Sequence, residues 1–232
     1  MRSLPRERDV RIVLGVFALG ALLRIAFVVA YRPAFLGISD SGSYLVSAHS
    51  GLFSDQLHPA EYALFLRLAG VLAPNLGWVI GLQHVLGLLA AALLYLTVRR
   101  ITGHTLLGLI PAALVLFDGL ELWAEHAPLS DPLFVLLVAA TLHETVRAGE
   151  GDRAALVSTG VLLAAACVVR PAGLFLVPLV AVWVLLAAPG ALRARLVGAG
   201  ALTACALLLP VETGNAEGGG PVLFVSPPKA IT

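Results

Sequence analysis

Asp40 and Asp131 each stand where a helix-starting pattern follows a loop, and Arg170 closes an apolar run just before Pro171. A carboxylate beside a membrane surface can take the proton from an acceptor hydroxyl as a general base. A guanidinium at such a surface binds phosphate through paired, charge-assisted hydrogen bonds. Each residue also has a plainer reading. Ser39 or Asp40 suits the N-cap of a helix carrying Tyr44, and Ser130-Asp131-Pro132 has the order of a helix start with proline in its first turn. Arg170 complements a helix C-terminus and can reach toward headgroups. For Asp40 the two roles are compatible, because a helix N-terminus keeps a carboxylate ionised. His58 and Glu61 lie three apart, and with His49 and His126 they supply donors for a divalent metal ion. The same spacing around Pro59 is that of an ordinary turn. No P-loop, nucleophile elbow, zinc-protease or dinucleotide fingerprint is present.

The elements that must position these groups follow from composition. Of 232 residues, 59% are hydrophobic and 12% charged, with a mean hydropathy of +0.94. A soluble domain is nearer half apolar and a quarter charged. A cytosolic or secreted enzyme, a disordered chain and a nucleic-acid binder are excluded as first readings. The net charge of +1 gives no bulk field to recruit a charged partner. Cys167 and Cys205 lie in apolar runs and read as small buried hydrophobes, not as a disulfide framework or metal motif.

The apolar stretches are continuous, so the predicted fold is all-α: a multi-pass transmembrane helical bundle of about seven spans. The expected spans are 12–31, 76–98, 106–122, 132–146, 154–169, 172–188 and 196–210, followed by a Gly/Pro-rich tail over 211–232. Residues 1–210 form one transmembrane domain on this reading. The first run reads as an anchor, not a cleaved leader, because apolar sequence resumes after Arg24 and no small-residue cleavage site follows. Arg2, Arg6, Arg8 and Arg11 set the N-terminus in the cytoplasm. Alternating spans then carry Arg99, Arg100, Arg147, Arg153, Arg193 and Arg195 to the same side, and leave Arg32, Arg67, Arg170 and Lys229 outside. Two outward segments result, about 32–77 and about 118–131, and with the tail they hold nine of the fourteen acids. The first is long enough for its own helices, over Tyr44–His49 and Glu61–Ala73, with Leu64, Phe65, Leu68, Val71 and Leu72 making an apolar face for the membrane surface. Arg24, Gln83-His84 and His143-Glu144 are the main polar intrusions into the spans, with Arg24 free to reach outward or to pair with an acid. Gly77 and Gly81 form a G-x-x-x-G that predicts close helix packing.

Five stretches in order resemble one group: SDSGSYL led by Ser39-Asp40, LHPAEYALFLRL from Leu57, QHVLGLLAAALLYLTVRR from Gln83, LSDPLFVLL around Asp131 and VVRPAGLFLVP around Arg170. The chain is similar in this way, from about Arg11 to Pro210, to polyprenyl-phosphate-dependent glycosyltransferases of the GT-C fold. These include the protein O-mannosyltransferase and aminoarabinose transferase relatives. The resemblance implies that Asp40 is the catalytic base and Asp131 a second acid assisting acceptor or metal. Arg170 would contact the lipid phosphate, and His58, with Tyr44 and Glu61 nearby, would lie in the donor-binding turn. It implies a polyprenyl-phosphate sugar donor and a glycan, lipid or protein acceptor. The reaction would invert the sugar carbon on the extracytoplasmic face of the plasma membrane, among membrane lipids and without nucleic acid. Three departures stand out. Ser41 follows Asp40 where several relatives have a second acid, Leu57 stands where a glutamate often precedes the basic-Pro pair, and relatives are longer, with further spans. The competing expectations are a non-catalytic fragment or partner subunit of such an enzyme, and a transporter subunit, which should show mid-span ionisable groups and interrupted helices.

Overall fold

A long apolar segment in lipid must pair its own backbone groups, and helices do so within one strand of chain. The computed structural model describes residues 7–36, 40–50, 60–73, 75–187, 198 and 200, and no strand occurs among them. The helices are, in order, α1 (Glu7–Ala30), α2 (Ser41–Ser50), α3 (Ala60–Leu72), α4 (Leu76–Thr102), α5 (Leu109–Phe117), α6 (Gly119–Glu125), α7 (Asp131–Gly149), α8 (Arg153–Val169) and α9 (Leu176–Ala187). Among the described residues, α1 with 24 and α4 with 27 are long and apolar enough to cross a membrane. At about 1.5 Å of rise per residue each exceeds the roughly 30 Å of a hydrocarbon layer. Large apolar side chains cover the exterior of α1, where Leu14, Leu19, Leu22 and Ile25 are all exposed.

Side chains fix where the helices begin. Asn75 accepts a 2.7 Å bond from the Trp78 N–H at the start of α4, and Asp152 accepts from Ala154 and Ala155 at the start of α8. Gly103 ends α4 at φ 73°, the left-handed geometry that glycine adopts without penalty. Around α4 pack α1, α3, α5, α6 and α7. Ala91 and Tyr95 of α4 meet Ala112 and Leu116 of α5, and the Phe17 ring of α1 meets Tyr95 edge-on at 6.0 Å. A second apolar cluster joins Leu163 and Cys167 of α8 to Val177, Val180 and Val184 of α9.

Three sequence expectations change. The span expected over 106–122 is two helices. Asp118 leaves helical geometry (φ −68°, ψ 124°) while its carboxylate caps α6 by accepting from Leu120, so one residue ends α5 and starts the next helix. The span expected from 172 begins as a 3-10 turn, Pro171–Phe175, before α9. Arg170 is extended there, and Gly173 lies so close to the Ala166 and Cys167 backbone that a Cβ would collide with it. The G-x-x-x-G packing is not found either. A Cβ on Gly81 would meet nothing within 4 Å among the described residues, and one on Gly77 would meet only Asn75. Close approach between helices occurs instead at other glycines, among them Gly20, against Leu116, Gly87, against Glu125, and Gly108, against Tyr95. Ser39, His58, the tail and, apart from Gly198 and Gly200, the span expected over 196–210 lie outside the described residues.

Candidate functional site

The two helices expected in the first long loop both form. Arg67 of α3 holds them together by donating from Nε to the Ala48 carbonyl at 2.6 Å and from Nη2 to that of Ser47, in the last turns of α2. Tyr62 of α3 is fully buried, and its ring meets Tyr44 of α2 edge-on at 4.7 Å and stacks on Phe65. The apolar residues Leu64, Leu68, Val71 and Leu72 are left exposed on the opposite side of α3.

The sequence-predicted groups converge at the end of the bundle where α2, α7 and the 3-10 turn begin. Asp40 directly precedes α2, and its carbonyl accepts from the Tyr44 N–H at 3.1 Å. The Tyr44 hydroxyl lies 3.2 Å from Ser130 Oγ. Asp131, the next residue, is ion-paired with Arg170. Ser130 makes no side-chain cap bond, its hydroxyl being turned to Tyr44 instead. Asp131 and Arg170 stay accessible, 41% and 36% exposed, as a site meeting a ligand requires. Burial pushes the Tyr44 phenol pKa up, the Ser130 hydrogen bond opposes that, and the charges of Asp40, Arg170 and Asp131 all act on it. One phenol thus feels both acids and the base.

Of the donors named for a metal, His49 is exposed on α2, Glu61 begins α3, and His126 is buried beyond α6 with both ring nitrogens in hydrogen bonds. No three His, Cys, Asp or Glu side chains converge as a metal site among the described residues, and His58 lies outside them.

Behind this accessible site lies a buried polar cluster that only its fragments announced. Arg24 of α1, 2% exposed, donates to Glu125 of α6 at 2.5 Å, taking the acid-pairing alternative. It also donates to the carbonyls of Leu116 and Val115, which α5 leaves unpaired where it breaks. The other Glu125 oxygen lies 2.6 Å from His84 Nδ1, and His84 Nε2 lies 3.1 Å from His126 Nδ1. His126 Nε2 donates to the Tyr31 carbonyl at 2.6 Å, inside a box of Phe27, Tyr31 and Phe35 rings. Burial lowers the His126 pKa, the Tyr31 bond raises it, and His84 lowers it further. Gln83 uses its amide nitrogen to hold the Ala127 carbonyl at 2.8 Å and its oxygen to accept from Tyr62 at 2.6 Å. A side chain on Gly87 would intrude on the Glu125 carboxylate, so α4 carries glycine there.

A family model described as dolichyl-phosphate-mannose-protein mannosyltransferase matches residues 77–212, more than half of the chain. The chain belongs to that mannosyltransferase family. The match begins at the first turn of α4 and takes in His84, Glu125, Asp131 and Arg170, whereas Asp40, Tyr44 and Tyr62 precede it. Members are membrane glycosyltransferases, and the two long apolar helices agree with membrane placement. No curated protein and no solved structure matches the chain. Sequence reasoning missed Glu125, Gln83 as a clamp, Tyr62 and Ser130. The available signal was Arg24 and Gln83-His84 inside apolar runs, since ionisable groups in such runs pair with one another by default.

Proposed function

We propose that this protein moves a sugar from a polyprenyl-phosphate donor to an acceptor hydroxyl on the extracytoplasmic side of the plasma membrane, through a bundle of about seven spans with a cytoplasmic N-terminus. The observation that carries the reading is the accessible Asp131–Arg170 pair beside Tyr44 and Asp40, in a member of this family. Nucleotide sugars are cytoplasmic, so transfer on the far side needs a donor held by its lipid. The phosphate exchanges for Asp131 at the Arg170 guanidinium, which is already oriented and keeps its charge compensated in the resting state. Glu61 and Tyr44 line the donor and acceptor approach, and the family resemblance assigns His58 to donor binding.

Asp40 takes the proton of the acceptor hydroxyl, and that oxygen attacks the anomeric carbon from the face opposite the phosphate. The bond from that carbon to the phosphate oxygen breaks, and its electron pair leaves on the phosphate, where Arg170 neutralises it. One displacement inverts the carbon. Asp131, released from Arg170, orients the acceptor.

A second reading has one observation in its favour. The break at Asp118 and the buried charges behind it are features that transporters also use. The full chain, purified from membranes, separates the readings when offered labelled polyprenyl-phosphate mannose. Binding with transfer to acceptor supports the enzyme. Binding without transfer favours a non-catalytic partner, and neither favours transport.

A further inference from the structure

The three contacts that run from Glu125 through His84 to His126 can be counted in hydrogens. A backbone carbonyl only accepts, so the 2.6 Å contact from His126 Nε2 to Tyr31 requires a hydrogen on that nitrogen. Two bare ring nitrogens do not face each other at 3.1 Å, so a second hydrogen lies between His84 Nε2 and His126 Nδ1. A bare nitrogen and a carboxylate oxygen repel at 2.6 Å, so a third lies between His84 Nδ1 and Glu125 Oε2. Two neutral imidazoles beside an ionised carboxylate bring only two.

We infer that the Glu125–His84–His126 chain stores one hydrogen more than its groups carry in their ordinary neutral-ring, ionised-acid forms, and that this fully satisfied chain is the device positioning Ser130 and Asp131. From α1, Arg24 saturates the other Glu125 oxygen, and from α5 two unpaired carbonyls turn toward Arg24. Glu121 stands one turn before Glu125 on α6, and Tyr62 reaches the cluster from α3 through Gln83. His84 and Gln83 are neighbours on α4, so the same helical turn that holds the hydrogen chain also clamps the Ala127 carbonyl. Three residues later the chain reaches Ser130, against Tyr44, and then Asp131, against Arg170. The strand of chain between α6 and α7 is therefore pinned at its start by α4 and offered at its end to the accessible site. The consequence for transfer rests on the proposed function; the hydrogen count does not.

The count gives Glu125→Gln an unusual expected outcome. An amide turned with its oxygen to Arg24 and its NH2 to His84 Nδ1 supplies the third hydrogen itself, leaves both rings neutral and keeps the net charge of the cluster. The unfolding midpoint of the full chain in detergent should stay within about 2 °C of the parent, whereas His84→Phe, which removes both contacts, should lower it by about 10 °C. In the parent, nitrogen NMR of selectively labelled histidines at neutral pH should show a hydrogen on His126 Nε2. One of the two rings should be hydrogen-bearing at both nitrogens, or else Glu125 should give a protonated-carboxyl infrared band that Glu125→Gln removes. Both rings singly protonated together with an ionised Glu125 overturn the inference. So does a loss in Glu125→Gln as large as that of His84→Phe. For positioning, His84→Phe should lower kcat for lipid-linked sugar transfer more than tenfold while Glu125→Gln stays within about threefold; equal losses overturn that role. A parent chain that transfers nothing defeats the transferase reading and leaves the NMR and infrared result to stand.

Discussion

Two ends of the bundle use the same residue types for different ends. Where α1 closes and α4 opens, Arg24 and Glu125 are 2% and 0% exposed and their partners come from α1, α4, α5 and α6. At the other end of α4, Arg100 meets Glu150 at 2.6 Å, and Arg147 meets Glu144 and Asp152 across a single turn of chain. There Arg100 and Glu150 are 32% and 41% exposed. Backbone N–H groups of α8, and then Arg147, hold the Asp152 carboxyl below its usual value, so its contribution is complete above its ordinary pKa and fades as pH falls through the lower native one. The contrast teaches that pairing alone says little about what a charge contributes. Burial and the number of elements tied together decide it.

Substitutions of graded effect can break that contrast. Arg24→Met should be the most damaging, by about 3–5 kcal/mol, because it strands Glu125 and two α5 carbonyls in a dry site. Chemical unfolding in detergent reads this, and a loss below about 1 kcal/mol would erase the distinction between the ends. Gly87→Ala should cost about 1–3 kcal/mol by the same measurement, since the added methyl pushes on the Glu125 carboxylate and not on a yielding apolar chain. Gly81→Ala, on the same helix with open space around it, serves as the neutral comparison. Glu150→Gln should change stability by no more than about 0.5 kcal/mol, and added salt should shrink even that.

The helices were legible because continuous apolar sequence has few other solutions, and the starts expected at 76, 132 and 154 fall within a residue of those observed. The break at Asp118 was not, because composition over 106–122 remains apolar and one aspartate's change from helix interior to cap depends on its backbone. Asp131 and Arg170 were each identified from local sequence, yet their pairing joins residues from different helices that spacing cannot connect. Glu125 lay in plain view among the acids of an expected loop. Its burial came from Gly87 opening space on α4 and from Arg24 reaching across from α1, both of them long-range facts. G-x-x-x-G misled for the converse reason, since small residues permit contact without requiring it.

The central claim is that the accessible site of Asp40, Asp131 and Arg170 performs sugar transfer with Asp40 as base. Its most direct test is Asp40→Asn in the full chain, assayed for transfer from a polyprenyl-phosphate-linked sugar, with donor binding and the unfolding midpoint measured alongside. The account predicts that binding and midpoint persist while transfer falls at least about a hundredfold. Undiminished transfer by a normally folded variant would contradict it.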